Sequence, residues 1–312
     1  MLDFKIASGR SNRQLAERIS DYIGVELTNV SIKNFSDGEI WVKYEENIRG
    51  VDLFIIQSTN APADNLLELL LMIDAAKRAS AKRVTAVIPY FAYARQDRKD
   101  QPRVSISAKL VANLITRAGA DRVISIDLHS SQIQGFFDIP FDHLYASPVL
   151  IRRLFQLDLS NFVVAAPDIG AARTARAYAK RLNAELVIVD KRRPEHNIAE
   201  VVNIIGEAEG KNVIMVDDLI DTGTTFVQCA EALKQRGALD IYGVCVHPVF
   251  SGNALEKIED TPAITKMFVT DTIALNVTSP KVEVVSVAEL FAEAIIRTHD
   301  NRSISSLFEI ER

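Results

Sequence analysis

The 312-residue chain has only two cysteines, Cys229 in a helix-patterned stretch and Cys245 in an apolar run. Two scattered thiols of this kind give no disulfide framework, so we expect both to be buried and reduced, as is typical of a cytoplasmic protein. No charged N-terminal region precedes an apolar stretch, and we therefore predict no signal peptide. No uninterrupted apolar segment is long enough to cross a bilayer, so we expect no membrane partner.

A surplus of basic residues is also lacking. The chain has 36 Lys and Arg against 41 Asp and Glu, a net charge of −5, and no sustained basic run. This balance argues against nucleic acid as a partner. Neither GxxxxGK[ST] nor GxGxxG occurs, so a bound nucleoside triphosphate would be held without these two phosphate-binding loops. The apolar content of 48% and charged content of 25% indicate a soluble globular protein.

Short apolar runs alternate with helix-patterned stretches along the whole chain. Strands are predicted over residues 4–7, 51–57, 84–88, 123–127, 162–166, 186–189 and 213–216, and helices over 13–22 and 65–78. This alternation predicts the α/β class, with mostly parallel sheets flanked by helices and ligands at the carboxyl ends of the strands.

The length is sufficient for two domains, and polar strand ends occur in both halves of the chain. We predict two similar domains, 1–146 and 147–286, with residues 141–148 as a hinge. A helix at about 287–300 is expected to pack back onto the first domain.

Residues 213–226 are the most informative stretch. We expect Asp217 and Asp218 to close the buried strand and a helix to run from 226 to 236. Between them lies a hydroxyl-rich turn of Asp221, Thr222, Gly223, Thr224 and Thr225. Helix N-termini bind anions, and paired carboxylates accept hydrogen bonds from vicinal hydroxyl groups. The combination predicts a sugar-phosphate site and is similar to the phosphoribosyl-binding signature of type I phosphoribosyltransferases.

Charged residues follow other predicted strands. His129 and Asp168 could together hold a divalent ion near a polyphosphate, although a His ligand is unusual for Mg²⁺. Three adjacent cations at 191–193 are expected on a loop, where they either meet solvent only or close over a substrate and neutralise its charge. Residues 89–100 mix aromatic side chains with Arg and Gln, which can stack a base and reach phosphate; the alternative is a solvated loop. Residues 35–39 indicate a turn.

Several blocks in the right order carry a resemblance to a known family. They are residues 35–39, 93–97, 106–113, 127–129, 131–138, 190–194 and 216–222. Through them the chain resembles class I ribose-phosphate pyrophosphokinases over essentially its full length. The resemblance implies two domains of the type I phosphoribosyltransferase fold. It also implies transfer of the pyrophosphoryl group of ATP to the C1 hydroxyl of ribose 5-phosphate, giving phosphoribosyl pyrophosphate and AMP for nucleotide, His and Trp biosynthesis.

The same resemblance implies roles for individual residues. ATP would be bound by Phe35, Asp37, Gly38 and Glu39 of a neighbouring subunit and by Arg95 and Gln96. Mg²⁺ would be bound by His129 and Asp168, and ribose 5-phosphate by Asp217, Asp218 and the turn from Asp221 to Thr225. Lys191 and Arg193 would be catalytic. A regulatory site, where inorganic phosphate activates and ADP inhibits, would use Arg103, Ser105, Ser131, Ser303 and Ser305. The family's assembly implies a homohexamer built from dimers.

Two positions depart from the family pattern. Thr224 stands where a glycine is usual in the phosphate turn, and it would be strained if that position requires a positive φ, unless Gly223 adopts that conformation instead. Ala171 replaces the second glycine of a Pro-Asp-x-Gly-Gly turn. Both changes lie near the expected sugar-phosphate and pyrophosphate sites.

Two other functions remain as alternatives. A phosphoribosyltransferase shares the 213–226 motif, but residues 35–39 and 93–97 would then have no ATP to bind. A catalytically impaired regulatory homologue is the second alternative, and the departures at Thr224 and Ala171 are its only support. The presence of Lys191, Arg193 and His129 argues against it.

Overall fold

The computed structural model describes residues 4–157, 159–192, 201–275 and 278–308, in which strands and helices alternate. The strands are β1 (Phe4–Ser8), β2 (Val30–Asn34), β3 (Ile40–Tyr44), β4 (Asp52–Ile56), β5 (Arg83–Ile88), β6 (Arg122–Ile126), β7 (Phe141–Leu144), β8 (Phe162–Ala166), β9 (Glu185–Arg192), β10 (Val201–Ile205), β11 (Asn212–Ile220), β12 (Ile241–Pro248), β13 (Lys266–Thr270) and β14 (Val282–Val285).

The α-helices are α1 (Arg13–Ile23), α2 (Asp64–Arg78), α3 (Ser107–Ala118), α4 (Ser147–Phe155), α5 (Ala172–Leu182), α6 (Thr224–Gln235), α7 (Ala254–Asp260) and α8 (Ala288–His299). None of the helices in the described ranges is both long and apolar enough to cross a membrane. The predicted α/β class is confirmed, because the sheets are mostly parallel and helices connect their strands.

The chain divides into two compact units. The first comprises Met1–Ala146, Thr272–Ala274 and Ser286–Arg312, and the second comprises Ser147–Asp271 and Leu275–Val285. Helix α8 therefore belongs to the first unit, although it follows the second in sequence, and it packs against α1. The domain limits expected from the sequence stay a prediction, since compactness alone does not test independent folding.

The first unit is built on a parallel sheet in the order β1-β4-β5-β6-β7, with β2 and β3 as a separate antiparallel hairpin. Strand β4, which lies between β1 and β5, is buried along its whole length. Asp52 at the start of β4 accepts hydrogen bonds from Arg83 Nε at 2.8 Å and lies 2.8 Å from His299 Nδ1. Arg83 also donates to the carbonyl of Thr298. A buried carboxylate thus attaches the end of α8 to this sheet.

The second unit contains a sheet in the order β10-β9-β8-β11-β12-β13-β14, in which only β10 runs antiparallel to its neighbour. From β8 the chain moves outward to β9, whereas from β11 it moves the opposite way to β12 and β13. The strand order therefore reverses between β8 and β11. Open α/β sheets bind ligands at such a switch point, beyond the carboxyl ends of the strands.

Two expectations about local structure are wrong. Asp217 and Asp218 do not close their strand, because β11 keeps pairing with β12 as far as Ile220 opposite Pro248. Lys191 is not on a loop, because β9 continues to Arg192 and pairs with β10. In both cases backbone pairing extends beyond the apolar residues that the pattern reveals. The hinge expected at residues 141–148 stays a prediction, and the division between the two compact units, after Ala146, falls within this segment.

Both cysteines are buried and neither forms a disulfide bond, as expected. Burial raises the pKa of the Cys245 thiol well above its usual value, and the nearby Asp217 and Asp218 carboxylates raise it further. Because the thiolate is the reactive form, Cys245 is inert in the folded protein.

Gly243 in β12 provides a direct test of the packing that supports α6. A Cβ atom at this position would lie 2.7 Å from Phe226 Cζ of α6 and closer still to the side chain of Met267. We predict that Gly243→Ala lowers the free energy of unfolding by about 2 kcal/mol, because an overfilled core must displace both neighbours. Urea unfolding measures the change.

Gly135→Ala is the matched control. Nothing lies within 4 Å of a Cβ atom placed on Gly135, and this residue has no positive φ. Its unfolding free energy should stay within about 0.5 kcal/mol of the unsubstituted protein. Equal losses for the two variants would contradict the packing described around β12.

Candidate active site

Three carboxylates meet at the carboxyl edge of the second sheet, where its strand order reverses. Asp168 follows β8, and Asp217 and Asp218 lie near the end of the neighbouring strand β11. The two strands pair with Ala165 opposite Met215, so Asp168 and Asp217 extend past the same edge. The backbone N–H of Asp218 donates to Asp217 Oδ1 at 2.9 Å.

The electrostatics of this edge are unfavourable in the protein alone. The pKa of Asp217 is raised well above the ordinary value of an aspartate. Burial is the largest cause, and the charges of Asp218 and Asp168 add to it. A bound cation, or a ligand that donates hydroxyl hydrogen bonds, would relieve this repulsion.

The turn after β11 has the shape of an anion-binding loop. Gly223 adopts φ 72° and ψ −11°, and α6 begins at the next residue, Thr224. The Gly223 carbonyl accepts a hydrogen bond from Val227 N–H at 2.9 Å, which is the first hydrogen bond of the helix. No side chain caps α6, since Gly223 occupies the capping position. The helix therefore presents the positive end of its dipole beside the three carboxylates.

The two departures from the family pattern fit this backbone without strain. Gly223 carries the positive φ, whereas Thr224 lies in the helix and has no positive φ. Ala171 has φ −75° and ψ −11°, a conformation open to any residue. Ala171 N–H also donates to Asp168 Oδ1 at 2.9 Å, so the substitution leaves the turn that holds this carboxylate intact. Neither position requires glycine.

Lys257 is a residue at this site that the motif analysis missed. It lies on α7, and its Nζ is 3.1 Å from Thr224 Oγ1 and 3.3 Å from the carbonyl oxygen of Thr222. Helix α7 reaches the loop because Ala254 packs directly on Gly223, where a Cβ atom would lie 3.4 Å from the Ala254 carbonyl. The only sequence signal was a basic residue one turn after Ala254 in the helix pattern.

In the first unit, residues 35–39 form the tip of the β2–β3 hairpin, as the turn signal predicted. Phe35 N–H donates to the carbonyl of Glu39 at 2.8 Å, and Glu39 N–H donates to Asp37 Oδ1 at 3.1 Å. Gly38 has φ 97°. The aromatic ring of Phe35 is 57% exposed, so it is available to a ligand or to another chain.

A hydrogen-bond network holds this hairpin to the sheet. Glu68 of α2 is 1% exposed and accepts from Arg10 Nε at 2.5 Å, from Arg10 N–H at 2.6 Å and from Gln57 Nε2 at 3.0 Å. Arg10 Nη1 donates in turn to Asn34 Oδ1 at 2.7 Å, and Asn34 Nδ2 donates to the carbonyl of Gly38 at 2.9 Å. A buried carboxylate thus orients the exposed tip through Arg10.

The loop after β5 carries the other two predicted ATP residues. Arg95 and Gln96 are exposed, and Tyr93 before them has φ 64°. Gln96 Oε1 accepts from Ser107 Oγ at 2.5 Å, and Gln96 carbonyl accepts from Ala108 N–H at 3.2 Å. These bonds attach the loop to the first turn of α3.

His129 is exposed and follows β6 in the first unit, whereas Asp168 belongs to the second unit. Asp127, between β6 and His129, has φ 40° and accepts from Ala146 N–H at 2.6 Å. Within the described ranges no three His, Cys, Asp or Glu side chains are grouped so that they could hold a metal ion. A metal would therefore need water or substrate among its ligands.

The two residues predicted to be catalytic are described only in part. Arg193 lies outside the described residues, and of Lys191 only the backbone, in β9, is described. Among the expected regulatory residues, Ser105 Oγ lies 2.7 Å from Ser107 Oγ, and Ser305 N–H donates to Ser303 Oγ at 3.2 Å. Arg103 is exposed and has φ 69°, and the Ser131 carbonyl accepts from Gln134 Nε2 at 2.8 Å.

Fold and site together define an α/β protein with a loop typical of anion binding at a topological switch point. Two family models match the sequence: the N-terminal domain of ribose phosphate pyrophosphokinase over residues 4–119 and the phosphoribosyl synthetase-associated domain over residues 191–309. Among curated relatives, a ribose-phosphate pyrophosphokinase of Chlorobaculum tepidum is 58% identical over 98% of this chain and 95% of its own length.

A ribose-phosphate pyrophosphokinase of Wolinella succinogenes is 52% identical over 99% of this chain and its entire length. The crystal structure of a phosphoribosylpyrophosphate synthetase from Mycobacterium smegmatis superposes with a TM-score of 0.91 at 37% identity, covering 96% of this chain and 99% of that one. The chain belongs to the ribose-phosphate pyrophosphokinase family. The phosphoribosyltransferase and regulatory-homologue alternatives are not favoured by these relatives.

The loop conformation predicts a loss of binding for one glycine–alanine exchange and almost no effect for another. Gly223→Ala should lower ligand binding at the loop about tenfold, because an alanine with this φ is strained by roughly 1–2 kcal/mol. Ala171→Gly, which restores the usual family residue, should leave binding within about threefold, since this position has an ordinary helical φ. Calorimetric titration with ribose 5-phosphate measures both. A gain in affinity for Ala171→Gly as large as the loss for Gly223→Ala would contradict the assignment.

The Arg10 network predicts a measurable loss of stability. Arg10→Leu should lower the free energy of unfolding by about 2 kcal/mol, because the buried Glu68 carboxylate loses its cation while Arg10 itself is half exposed. Arg13→Leu is the matched control, since its pair with Glu17 on α1 is exposed on both sides and should contribute under about 0.5 kcal/mol. Urea unfolding curves compare them, and equal losses would rule out a special role for Arg10.

Proposed function

We propose that this protein transfers the pyrophosphoryl group of ATP to the C1 hydroxyl of ribose 5-phosphate, giving phosphoribosyl pyrophosphate and AMP. The observation that carries the proposal is the acidic edge beside the α6 loop, combined with family membership over the whole chain. The loop suits the 5-phosphate, since backbone N–H groups and a helix dipole bind phosphate. Asp217 and Asp218 suit the ribose hydroxyls, which donate hydrogen bonds to carboxylates.

The reaction needs alignment and charge neutralisation more than a covalent intermediate. The C1 oxygen of the sugar attacks the β-phosphorus, the bond from that phosphorus to the α-phosphate oxygen breaks, and AMP leaves. The hydroxyl proton passes to solvent. On this account Phe35, Asp37, Gly38 and Glu39, with Arg95 and Gln96, bind ATP, and no side chain is a nucleophile.

Mg²⁺ fits the donor set of the acidic edge. Carboxylate oxygens are hard ligands, and the burial and neighbouring carboxylates that raise the pKa of Asp217 are conditions that a bound cation would offset. Asp168 would hold the ion together with substrate oxygens and water, and His129 is a further candidate. When bound, Mg²⁺ neutralises charge on the polyphosphate. Ribose-5-phosphate-dependent activity that persists in excess chelator would contradict this assignment.

We further propose that the protein acts in the cytoplasm as a homohexamer built from dimers. An exposed apolar stripe supports self-association. Ile106 at the N-cap of α3 and Leu110 and Leu114 within the helix are spaced by four residues and are 37%, 56% and 40% exposed. The exposed Phe35 is a second surface that a neighbouring subunit would cover. Sedimentation velocity that finds only monomers at assay concentrations would contradict the assembly.

Regulation by anions is a further part of the proposal. Arg103, Ser105, Ser131, Ser303 and Ser305 offer donors suited to phosphate, with phosphate as activator and ADP as inhibitor. A dose-dependent rise in rate with inorganic phosphate is expected. A rate independent of phosphate, in a buffer free of other anions, would contradict a regulatory site.

The activity is tested with ATP labelled at the β-phosphate, in magnesium and inorganic phosphate, with and without ribose 5-phosphate. The expected result is AMP formed only with the sugar phosphate, and the label recovered in phosphoribosyl pyrophosphate. Formation of ADP with label retained in it would indicate simple phosphoryl transfer. No turnover by folded protein that binds ATP would favour the regulatory homologue instead.

Lys191 is predicted to act on the transition state. Lys191→Ala should lower kcat by about a thousandfold with little change in KM for either substrate, because its charge is needed only when the pyrophosphoryl group transfers. Lys82→Ala, at an exposed position in the first unit, is the control and should retain full activity. A large rise in KM for ATP with an unchanged kcat would instead assign Lys191 to ground-state binding.

A further inference from the structure

We propose that Lys257 is a positioning residue of the phosphate loop, which holds the loop in its binding shape and adds the positive charge that favours a phosphorylated sugar. This inference rests on the proposed function, because it concerns the ribose 5-phosphate site of the same reaction. It adds a residue from outside the sequence motif of that site.

The contacts of Lys257 span the turn that precedes α6. Its Nζ donates to the carbonyl oxygen of Thr222 on one side of Gly223 and to Thr224 Oγ1 on the other, at 3.3 and 3.1 Å. The Thr222 and Thr224 hydroxyls are themselves 3.5 Å apart. One ammonium group thus bridges both residues that flank the left-handed glycine. Such a bridge limits how the turn can open.

The direction of the contacts indicates which side of the loop Lys257 occupies. In a loop that binds an anion, N–H groups turn toward the ligand, and carbonyl groups therefore turn away from it. Lys257 contacts a carbonyl, so it supports the loop from the outer side. Its effect on the phosphate is then electrostatic and structural rather than a direct hydrogen bond.

Among the described residues, Lys257 differs from other lysines of the second unit in its ion pairing. Other lysines of the second unit form ion pairs, Lys211 with Glu185 and Lys266 with Glu283. Within the part of the chain that the structure describes, no ion pair with a carboxylate is found for Lys257, and its side chain is half-buried. A half-buried charge is screened less than a fully exposed one, so its field acts on an anion in the loop.

The attachment of α7 to the loop does not by itself require a lysine at position 257. The packing of Ala254 on Gly223 already brings the helix against the turn. Any long side chain at position 257 would cover the same surface, whereas only a cation would bridge a carbonyl and a hydroxyl while attracting phosphate. A neutral side chain of equal length at position 257 would therefore keep affinity for the phosphate if Lys257 only covers the surface, and would lower it if the positive charge is needed.

The test compares Lys257→Met and Lys257→Arg in the full-length protein. Lys257→Met should raise KM for ribose 5-phosphate about tenfold or more, in line with the loss of a charged contact, with kcat and KM for ATP within about twofold. Lys257→Arg should recover most of the affinity. Thermal unfolding of both variants should match the unsubstituted protein.

Lys234→Met is the matched control. Lys234 lies in the last turn of α6, the helix that follows the loop. Like Lys257, it donates to a carbonyl oxygen, that of Leu239 at 2.5 Å. It is remote in sequence from the loop, so KM for ribose 5-phosphate should not change. A second readout is calorimetric binding of ribose 5-phosphate against unphosphorylated ribose, where the preference for the phosphorylated sugar should fall only in Lys257→Met.

The possible outcomes separate this inference from the proposed function. Full activity of the unsubstituted protein with an unchanged KM in Lys257→Met would overturn the role of Lys257 and leave the function standing. Loss of kcat alone would also overturn it, since a loop-positioning residue acts on sugar-phosphate binding. If the unsubstituted protein binds ribose 5-phosphate without turnover, calorimetry still tests the role of Lys257. A lower preference for the phosphorylated sugar in Lys257→Met would support the role, and an unchanged preference would overturn it. No binding of ribose 5-phosphate by the unsubstituted protein would overturn both.

Discussion

The burial of neighbouring carboxylates at the carboxyl edge of the second sheet is the constraint on which the site depends. Parallel pairing of β8 with β11 brings Asp168 to the same edge as Asp217 and Asp218. Burial and these like charges raise the pKa of Asp217 well above its usual value. Gathering buried carboxylates in this way costs folding free energy. A site that binds a cation and sugar hydroxyls makes use of the same carboxylates.

The neighbouring loop supplies the opposite electrostatic character. Gly223 turns the chain with a positive φ, and α6 then directs the positive end of its dipole at the same edge. Close packing maintains this arrangement, because Ala254 lies against Gly223 and the side chains of Met267 and Phe226 fill the space beside Gly243. Anion and cation subsites thus arise from a single strand–turn–helix unit.

The sequence predicted the α/β class, most strands and the phosphate turn, because these follow from local apolar patterns and from short motifs. It did not predict that β9 continues through Lys191, since the last residues of this strand, Asp190 to Arg192, are charged and their pairing with β10 leaves no apolar pattern. The extension of β11 through its acids was missed for the same reason. Thr224 was a possible source of strain until the structure assigned the positive φ to Gly223.

The other features that the sequence did not predict depend on contacts between residues far apart in the chain. The contact between Arg10 and Glu68 joins residues 58 positions apart, and that between Lys257 and Thr224 joins residues 33 positions apart. No local pattern contains such pairs, because they depend on how helices pack against loops. The roles of Phe35, Arg95, His129 and Lys191 stay predictions from the family resemblance.

A crystal structure with ribose 5-phosphate and magnesium would test the account most directly. We expect the 5-phosphate at the turn formed by Gly223, Thr224 and Thr225, with the ribose hydroxyls facing Asp217 and Asp218. Sugar phosphate bound in the first unit, or bound in the second with its phosphate away from this turn, would contradict the account.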